Sequence, residues 1–277
     1  MAKNYLAPNE IVDYTADSGV SKVNRTVMTV FLMAIMAGMY IALGALASTT
    51  ASHAIHDKGV AKLVAGAVFP IGLMFVVLNG ADLYTGNCLI VISALEKRTK
   101  ISAYFKNLGI VLAGNFVGAV FIAFLQANTG MFRMSDGGFA AYALKTAITK
   151  ANLPFSEALC LAIICNIFVC GGIWMMYAAK DVTGKILAGF FSIMAFTISG
   201  AEHVVANMYY VPAGLFIKLN PELVEMSGVA LDKLDTLTWG NFFVNNVIPV
   251  TIGNLLGGLI IGVGYYTIFK KCTKPTQ

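Results

Sequence analysis

Charged residues are scarce in this sequence, and their scarcity excludes most classes of water-soluble protein. Asp, Glu, Lys and Arg make up 12% of the 277 residues, whereas 58% of the residues are hydrophobic. The mean hydropathy is +0.76, and a soluble domain of this length exposes far more charge to water. Lipid must therefore surround most of the chain. The net charge of +5 is not gathered into a basic, aromatic face, so we predict no nucleic-acid partner.

Signatures of metal sites and catalytic nucleophiles are also lacking. The five cysteines show no paired metal spacing, and a thiol in apolar sequence is usually a packing residue. His53 and His56 lack further ligands nearby, so we predict a solvated loop there and no metal. No H-E-x-x-H motif occurs, and Ser199 lacks the preceding glycine of a G-x-S-x-G nucleophile. We predict no enzymatic activity and no cofactor. An intramembrane hydrolase using Ser199 and His203, or a receptor that transports nothing, is the alternative.

What the sequence does contain is long apolar runs. A helix needs about 20 apolar residues to cross the hydrocarbon core, and the first such run is too long for a signal peptide, so we expect it to be retained. Four runs fit one span each and two are longer, each with an acidic residue near its middle: Val27 to Ala47, Leu108 to Leu125, Ala158 to Ala179 and Phe242 to Phe269, then Leu63 to Leu95 and Ile186 to Ile217. We predict an all-α, polytopic membrane protein with six transmembrane helices.

The centres of the two longer runs resemble each other. Residues 80–87 read GADLYTGN and residues 200–207 read GAEHVVAN, so Gly, Ala, an acid and Asn recur at matching positions. A second pair, GNFVG at 114–118 and GNLLG at 253–257, follows one span later in each half. Taken alone, the second pair indicates only close helix packing by small residues. Two matches in the same order indicate an internal duplication.

Duplication of a unit with three spans requires the second unit to be inverted in the membrane. We predict one membrane domain, residues 1–277, made of a first half at 26–126 and a second half at 156–269. Residues 1–25 and 270–277 form the terminal segments. Inverted repeats with interrupted helices line transport sites near the bilayer centre, and irregular backbone survives at that depth only against protein or water. The breaks therefore predict a central passage for a small solute.

Lys and Arg predict the orientation, since these residues are enriched in cytoplasmic connections. The side of the termini carries twelve of the nineteen: Lys3, Lys22, Arg25, Lys97, Arg98, Lys100, Lys106, Lys180, Lys185, Lys270, Lys271 and Lys274. The opposite side carries seven: Lys58, Lys62, Arg133, Lys145, Lys150, Lys218 and Lys233. We predict a cell-membrane protein with both termini in the cytoplasm.

The polar residues at the breaks indicate the chemistry. Asp82 and Glu202 precede the second half-helices, where we expect their carboxylates to accept hydrogen bonds from unpaired backbone N–H groups. His203 stands where the first half has Leu83, so symmetry does not require it. Imidazole can give a hydrogen bond or a proton to an anion. Thr85 offers a hydroxyl and a helix cap, and half-helix N-termini favour negative charge. A small monovalent anion is the predicted solute.

These motifs resemble the formate/nitrite transporter family over nearly the whole chain. The residues that carry the resemblance are Ala65 to Asn87 with its Gly-Ala-Asp-Leu-Tyr-Thr break, Gly200 to Pro212 (GAEHVVANMYYVP) and Asn246 to Gly258 (NVIPVTIGNLLGG). The resemblance implies an aquaporin-like six-helix fold with helices two and five interrupted. It also implies a homopentamer in which each subunit passes formate, nitrite or hydrosulfide, of which hydrosulfide and formate are favoured.

The resemblance also assigns roles to residues. Thr85 and His203 become a central polar pair, with Lys150 and Asn166 supporting the selectivity region on the extracellular side. Leu73 and Leu83 become the cytoplasmic constriction and Phe196 the extracellular one. Asn87 and Asn207 join Asp82 and Glu202 in stabilising the breaks. Tyr84 replaces a Phe of many formate channels and is expected to place a hydroxyl near the inner gate. Asn9 to Val23 resembles the family's cytoplasmic helix, which can cover the pore.

Overall fold

The fold is that of a multi-pass membrane protein. The computed structural model describes residues 4–272, and the regular elements within them are helical, apart from an isolated bridge between Tyr5 and Ala179. Six helical stretches are long and apolar enough to cross a membrane: Val27–Ser52, Lys58–Leu78, Ile101–Ala127, Phe155–Ala178, Val182–Ser199 and Trp239–Cys272. The predicted all-α architecture with six spans is confirmed. Residues 273–277 of the predicted tail, with Lys274, and Lys3 lie outside the described residues.

A helix that lies outside the spans, α1 (Pro8–Val23), precedes the first half. The helices of the first half are, in chain order, α2 (Val27–Ser52), α3 (Lys58–Val68), α4 (Ile71–Leu78), α5 (Tyr84–Asn87), α6 (Val91–Leu95) and α7 (Ile101–Ala127). The helix bends between α3 and α4 at Pro70, which has no N–H to donate. The interruption that the sequence predicts for this half lies further along the chain, between α4 and α5.

The second half has its interruption at the corresponding place, between α10 and α11. The connection between the halves contains α8 (Gly138–Ala151). The helices of the second half are α9 (Phe155–Ala178), α10 (Val182–Ser199), α11 (Val204–Lys218), α12 (Pro221–Ser227), α13 (Leu231–Leu234), α14 (Trp239–Phe242) and α15 (Ile248–Tyr266). A π-helical turn, Phe243–Val247, joins α14 to α15. Such turns often occur at functional sites, and this one carries Asn246.

Both ends of the described chain lie on the same side of the spans. Asp13 of α1 accepts a hydrogen bond from Lys270 near the end of the last span, and Arg98 Nη2 lies 3.4 Å from Asp13 Oδ1. α1 also buries Ile11 and Val12 against the spans. We call this face the terminal side. The opposite face, which carries α8, α12 and the start of α3, is the loop side.

Glycines allow the long helices of each half to pack closely. A Cβ atom at Gly118 of α7 would overlap the carbonyl oxygen of Ile35 in α2, and one at Gly257 of α15 would overlap that of Ile163 in α9. These are the last glycines of the two G-N-x-x-G segments. Small residues at such positions let two backbones approach in a membrane.

We predict that Gly257→Val destabilises the protein by about 1–3 kcal/mol, because the added atoms force α15 away from α9. Thermal unfolding of the protein purified in detergent measures the effect as a lower melting temperature. Gly264→Val is the matched control, since it lies on the same helix and a Cβ there would meet no atom within 4 Å. Equal melting temperatures for the two variants would contradict the close-packing role.

Candidate functional site

The two helix interruptions have the same backbone geometry. α4 is followed by Gly80 with φ of +77°, and α10 is followed by Gly200 with φ of +72°. An L-residue with a side chain rarely adopts this left-handed conformation, whereas glycine does so without steric cost. The next three residues in each half are outside any helix, and the second half-helix then begins at Tyr84 or Val204. Each interruption therefore exposes peptide groups at membrane depth that need partners.

Two buried asparagines supply those partners, one in each half. Asn115 of α7 donates to the carbonyl oxygen of Asp82 (3.0 Å) and accepts from the N–H of Tyr84 (2.9 Å). Asn254 of α15 donates to the carbonyl of Glu202 (3.0 Å) and accepts from the N–H of Val204 (3.0 Å). The G-N-x-x-G segments thus do more than pack helices. Their asparagines close the hydrogen bonds that the interruptions leave open.

The carboxylate of Asp82 lies in a buried polar cluster on the terminal side. Lys22 Nζ lies 3.1 Å from one carboxylate oxygen and Arg25 Nη1 lies 2.9 Å from the other. Asn87 donates to Asp82 (3.3 Å) and to the side chain of Asn107 (2.9 Å). Lys22 also donates to Asn87. Two cations and an amide therefore compensate a carboxylate that is fully buried.

The carboxylate of Glu202 lies in a matching cluster on the loop side. Lys150 Nζ lies 2.7 Å from Glu202 Oε1, and Asn207 and Asn246 both donate to Oε2. Asn207 also donates to the side chain of Asn246 (2.8 Å), which in turn donates to the backbone carbonyl of Lys150 (3.0 Å). Each half thus contributes an acid and two asparagines to its cluster, and the cations come from outside the repeat: Lys22 and Arg25 for Asp82, and Lys150 for Glu202.

The predicted capping role of Asp82 and Glu202 is wrong. The residues at the N-cap positions are Leu83 and His203, so each acid lies one residue too early to reach the N–H groups of the half-helix. Their carboxylates bind side-chain amides and cations instead. The predicted Thr85 cap is also wrong, because the Thr85 hydroxyl bonds to His203.

Thr85 and His203 form a buried polar pair between the two interruptions. His203 Nε2 lies 3.0 Å from Thr85 Oγ1, and His203 Nδ1 accepts a hydrogen bond from the N–H of Ala206 (3.1 Å). Because Nδ1 is an acceptor, a neutral ring carries its proton on Nε2 and donates it to Thr85. A second proton would have to occupy Nδ1, break the bond to Ala206 and face the positive end of α11. This arrangement favours the neutral ring.

Two cavities approach this pair from opposite sides. The loop-side cavity has a volume of about 390 Å³ and reaches Lys150, Phe196 and His203. The terminal-side cavity has a volume of about 170 Å³ and reaches Asp82 and Leu83. Leu83 is the counterpart of His203 in the repeat, so the two cavities reach equivalent positions of the two halves. The two cavities outline a passage that is interrupted at the Thr85–His203 pair and the apolar side chains next to it.

Aromatic rings close the inner end of the loop-side cavity. The rings of Phe69 and Phe196 meet edge to face with centroids 5.4 Å apart, and the Phe196 centroid lies 6.0 Å from that of His203. Val76, the repeat counterpart of Phe196, lines the terminal-side cavity together with Leu83. The sequence did not single out Phe69 or Val76, because one buried apolar residue looks like another in a span.

Four residues assigned by the resemblance, Leu73, Tyr84, Thr85 and Asn166, line neither of these cavities in the described chain. Leu73 is buried within the packing around α4, whereas Val76 accompanies Leu83 in the cavity wall. The Tyr84 hydroxyl donates to the backbone carbonyl of Thr251 on α15 (3.2 Å), so the expected hydroxyl at the inner gate is wrong. Asn166 donates to the carbonyl of Thr85 (3.3 Å) and so holds the backbone behind the central pair.

The clusters around Asp82 and Glu202 also contain residues that the sequence analysis did not select, and a sequence pattern could have identified two of them. Asn107 precedes Asn115 by eight residues, as Asn246 precedes Asn254, so the repeat is an Asn-x7-Asn pattern in both halves. α1 contributes Tyr14, Ser18 and Lys22 to the terminal-side cavity.

Ser199 donates to the carbonyl of Ala195 in its own helix (2.7 Å), which gives no support to the hydrolase alternative.

Comparisons with known proteins agree with this geometry. The profile of the formate/nitrite transporter family matches residues 9–268. Formate channel FocA of Escherichia coli K12 is 35% identical over 271 residues, which cover 96% of this chain and 95% of the relative. FocA of Haemophilus influenzae is 37% identical over 263 residues, 93% of each chain.

Solved structures show the same fold. A pentameric formate channel with formate bound superposes with a TM-score of 0.80 at 33% identity, covering 88% of this chain and 98% of the other. An ion channel of the same family superposes with a TM-score of 0.81 at 27% identity, covering 94% and 98%. These relatives are channels and give no support to the hydrolase or receptor alternatives.

Proposed function

Because this chain belongs to the formate/nitrite transporter family, we propose that it is a homopentameric channel in which each subunit passes formate across the cell membrane. The observation that carries the proposal is the Thr85–His203 pair at 3.0 Å, which lies between a loop-side cavity that reaches His203 and a terminal-side cavity that reaches Leu83. Formate is the chosen solute because several similar proteins are formate channels. Nitrite and hydrosulfide are the competing solutes.

The charge around the passage favours a monovalent anion. Lys150 lines the loop-side cavity while paired with Glu202, and Lys22 and Arg25 line the terminal-side cavity while paired with Asp82. Cations that are partly neutralised attract an anion without holding it tightly, and conduction requires weak binding. Phe69, Phe196 and Leu83 then exclude hydrated ions, because no polar group there replaces a complete hydration shell.

His203 acts in this proposal as a hydrogen-bond donor. Its Nε2–H group points at Thr85 Oγ1, and a solute that enters between them accepts this hydrogen bond and one from the Thr85 hydroxyl. A neutral imidazole cannot give its last proton to formate, since the product would be an imidazolate anion. The rival mechanism, in which His203 transfers a proton to the solute, first requires loss of the Nδ1 bond to Ala206.

The terminal side is cytoplasmic in this proposal. It carries the larger share of Lys and Arg, and the two ends of the described chain meet there through Asp13 and Lys270. α1 then covers the cytoplasmic mouth and supplies Lys22 to the Asp82 cluster. Displacement of α1 would remove a cation from that cluster and uncover the cytoplasmic mouth.

We expect purified protein in liposomes to take up labelled formate at least about ten times faster than chloride, a difference of about 1.4 kcal/mol in barrier height. Nitrite and hydrosulfide are measured in parallel at two pH values, with protein-free liposomes as the control. Faster passage of nitrite or hydrosulfide than of formate would replace the solute but keep the channel. Uptake no faster than in protein-free liposomes would overturn the proposed function.

A further inference from the structure

One face of α3 forms a charged wall of the loop-side cavity. Lys62, Ala65 and Phe69 follow Lys58 by four, seven and eleven residues, and this spacing places all of them on one side of a helix. All four residues line the cavity. The lysines lie at its mouth and Phe69 at its inner end, so the stripe leads from solvent to the aromatic constriction.

These two lysines lack the compensation that the inner cations have. No ion pair joins Lys58 or Lys62 to a carboxylate within residues 4–272, whereas Lys150 is paired with Glu202. The neighbouring Asp57 caps α3 by accepting from the N–H of Val60 (2.8 Å). Among the described residues that line the cavity there are three lysines and no aspartate or glutamate. The mouth of this cavity therefore carries an excess of positive charge.

We propose that Lys58 and Lys62 form an outer binding site that holds a monovalent anion in the loop-side cavity before it reaches Lys150 and the Phe69–Phe196 constriction. The proposal rests on the proposed function and adds a second, peripheral site to it. A cleft lined by one sign of charge concentrates ions of the opposite sign. Both lysines are exposed residues, so salt screens their field and the anion exchanges rapidly with solvent.

The test compares the half-saturating formate concentration for uptake into liposomes at ionic strengths of about 0.01 M and about 1 M, where the Debye length falls from about 30 Å to about 3 Å. In the wild type this concentration should rise with ionic strength as the outer site is screened. In Lys58→Gln/Lys62→Gln it should be about threefold higher than in the wild type at low ionic strength. At high ionic strength the two proteins should agree.

Two variants control for general effects. Lys145→Gln/Lys233→Gln removes the same charge from a separate recess on the loop side and should behave as the wild type. Lys58→Arg/Lys62→Arg keeps the charge and should retain the salt dependence. An unchanged half-saturating concentration in Lys58→Gln/Lys62→Gln, or an equal change at both ionic strengths, would overturn the outer site while leaving the channel in place. Absence of wild-type uptake would instead overturn the proposed function.

Discussion

Replacement of His203 by Leu should reduce formate uptake about ten- to a hundredfold, because a buried hydrogen bond to an ion contributes about 1.5–3 kcal/mol and each 1.36 kcal/mol changes a rate tenfold. The substitution places a leucine at position 203, as at the equivalent position of the first interruption, Leu83. The solute would then meet an apolar side chain at the centre of the passage from either side. Uptake of labelled formate into liposomes at fixed pH measures the loss.

His203→Asn separates the donor role from proton transfer. An Asn side chain can accept from the N–H of Ala206 through its carbonyl, as Nδ1 of His203 does at 3.1 Å, and still offer an N–H to the solute. It takes up no proton in the physiological range. If His203 acts as a donor, the Asn variant should keep uptake within a few fold of the wild type and the same dependence on external pH. Loss of that pH dependence with unchanged selectivity would favour the proton relay.

Loss of the helix cap is the main competing explanation for a weak His203→Leu variant. An N-cap residue contributes about 1 kcal/mol, and Leu cannot accept from the N–H of Ala206. His203→Ser restores an acceptor at this position but provides a shorter donor that does not reach Thr85. If His203→Ser matched the wild type in uptake, the bond to Thr85 would be irrelevant to transport and the donor mechanism would be rejected.

The architecture was predictable from sequence because its determinants are local. A run of apolar residues fixes a span whatever it packs against, and Gly80 and Gly200 mark the interruptions because few other residues adopt their backbone conformation. The matching acids at 82 and 202 then identified the repeat. His203 could be found for the same reason, since it stands within an interruption, whereas Phe196 was assigned by the family resemblance.

The partners of the acids could not be predicted in the same way. A carboxylate next to a helix start suggests a cap, but a shift of the helix start by one residue removes that role. Sequence patterns do not locate a helix start to within one residue. Asp82 instead meets Lys22, sixty residues earlier in the chain. The direction of the Tyr84 side chain also depends on the rotation of a four-residue helix, which packs against α7, α9 and α15.

Replacement of Asn254 by Leu should cause the largest loss of stability, since its side chain is the partner of two peptide groups at the second interruption. The N–H of Val204 and the carbonyl of Glu202 would lose bonds of 3.0 Å each, and an unpaired buried polar group costs about 1–3 kcal/mol. Leu has the same branching and the same number of side-chain heavy atoms as Asn, so it removes the polar atoms while keeping the shape of the side chain. We expect a lower melting temperature in detergent and a reduced yield of pentamer by size-exclusion chromatography.

Asn245→Leu is the matched control, because it makes the same change on the same stretch of chain but removes one bond of 3.2 Å to the carbonyl of Ala151. Asn115→Leu makes the equivalent change in the first half and should cause a loss similar to that of Asn254→Leu. A melting temperature for Asn254→Leu equal to that of Asn245→Leu would show that the interruptions do not depend on these asparagines. The irregular backbone would then have to be stabilised by the acid clusters, since lipid offers it no hydrogen bonds.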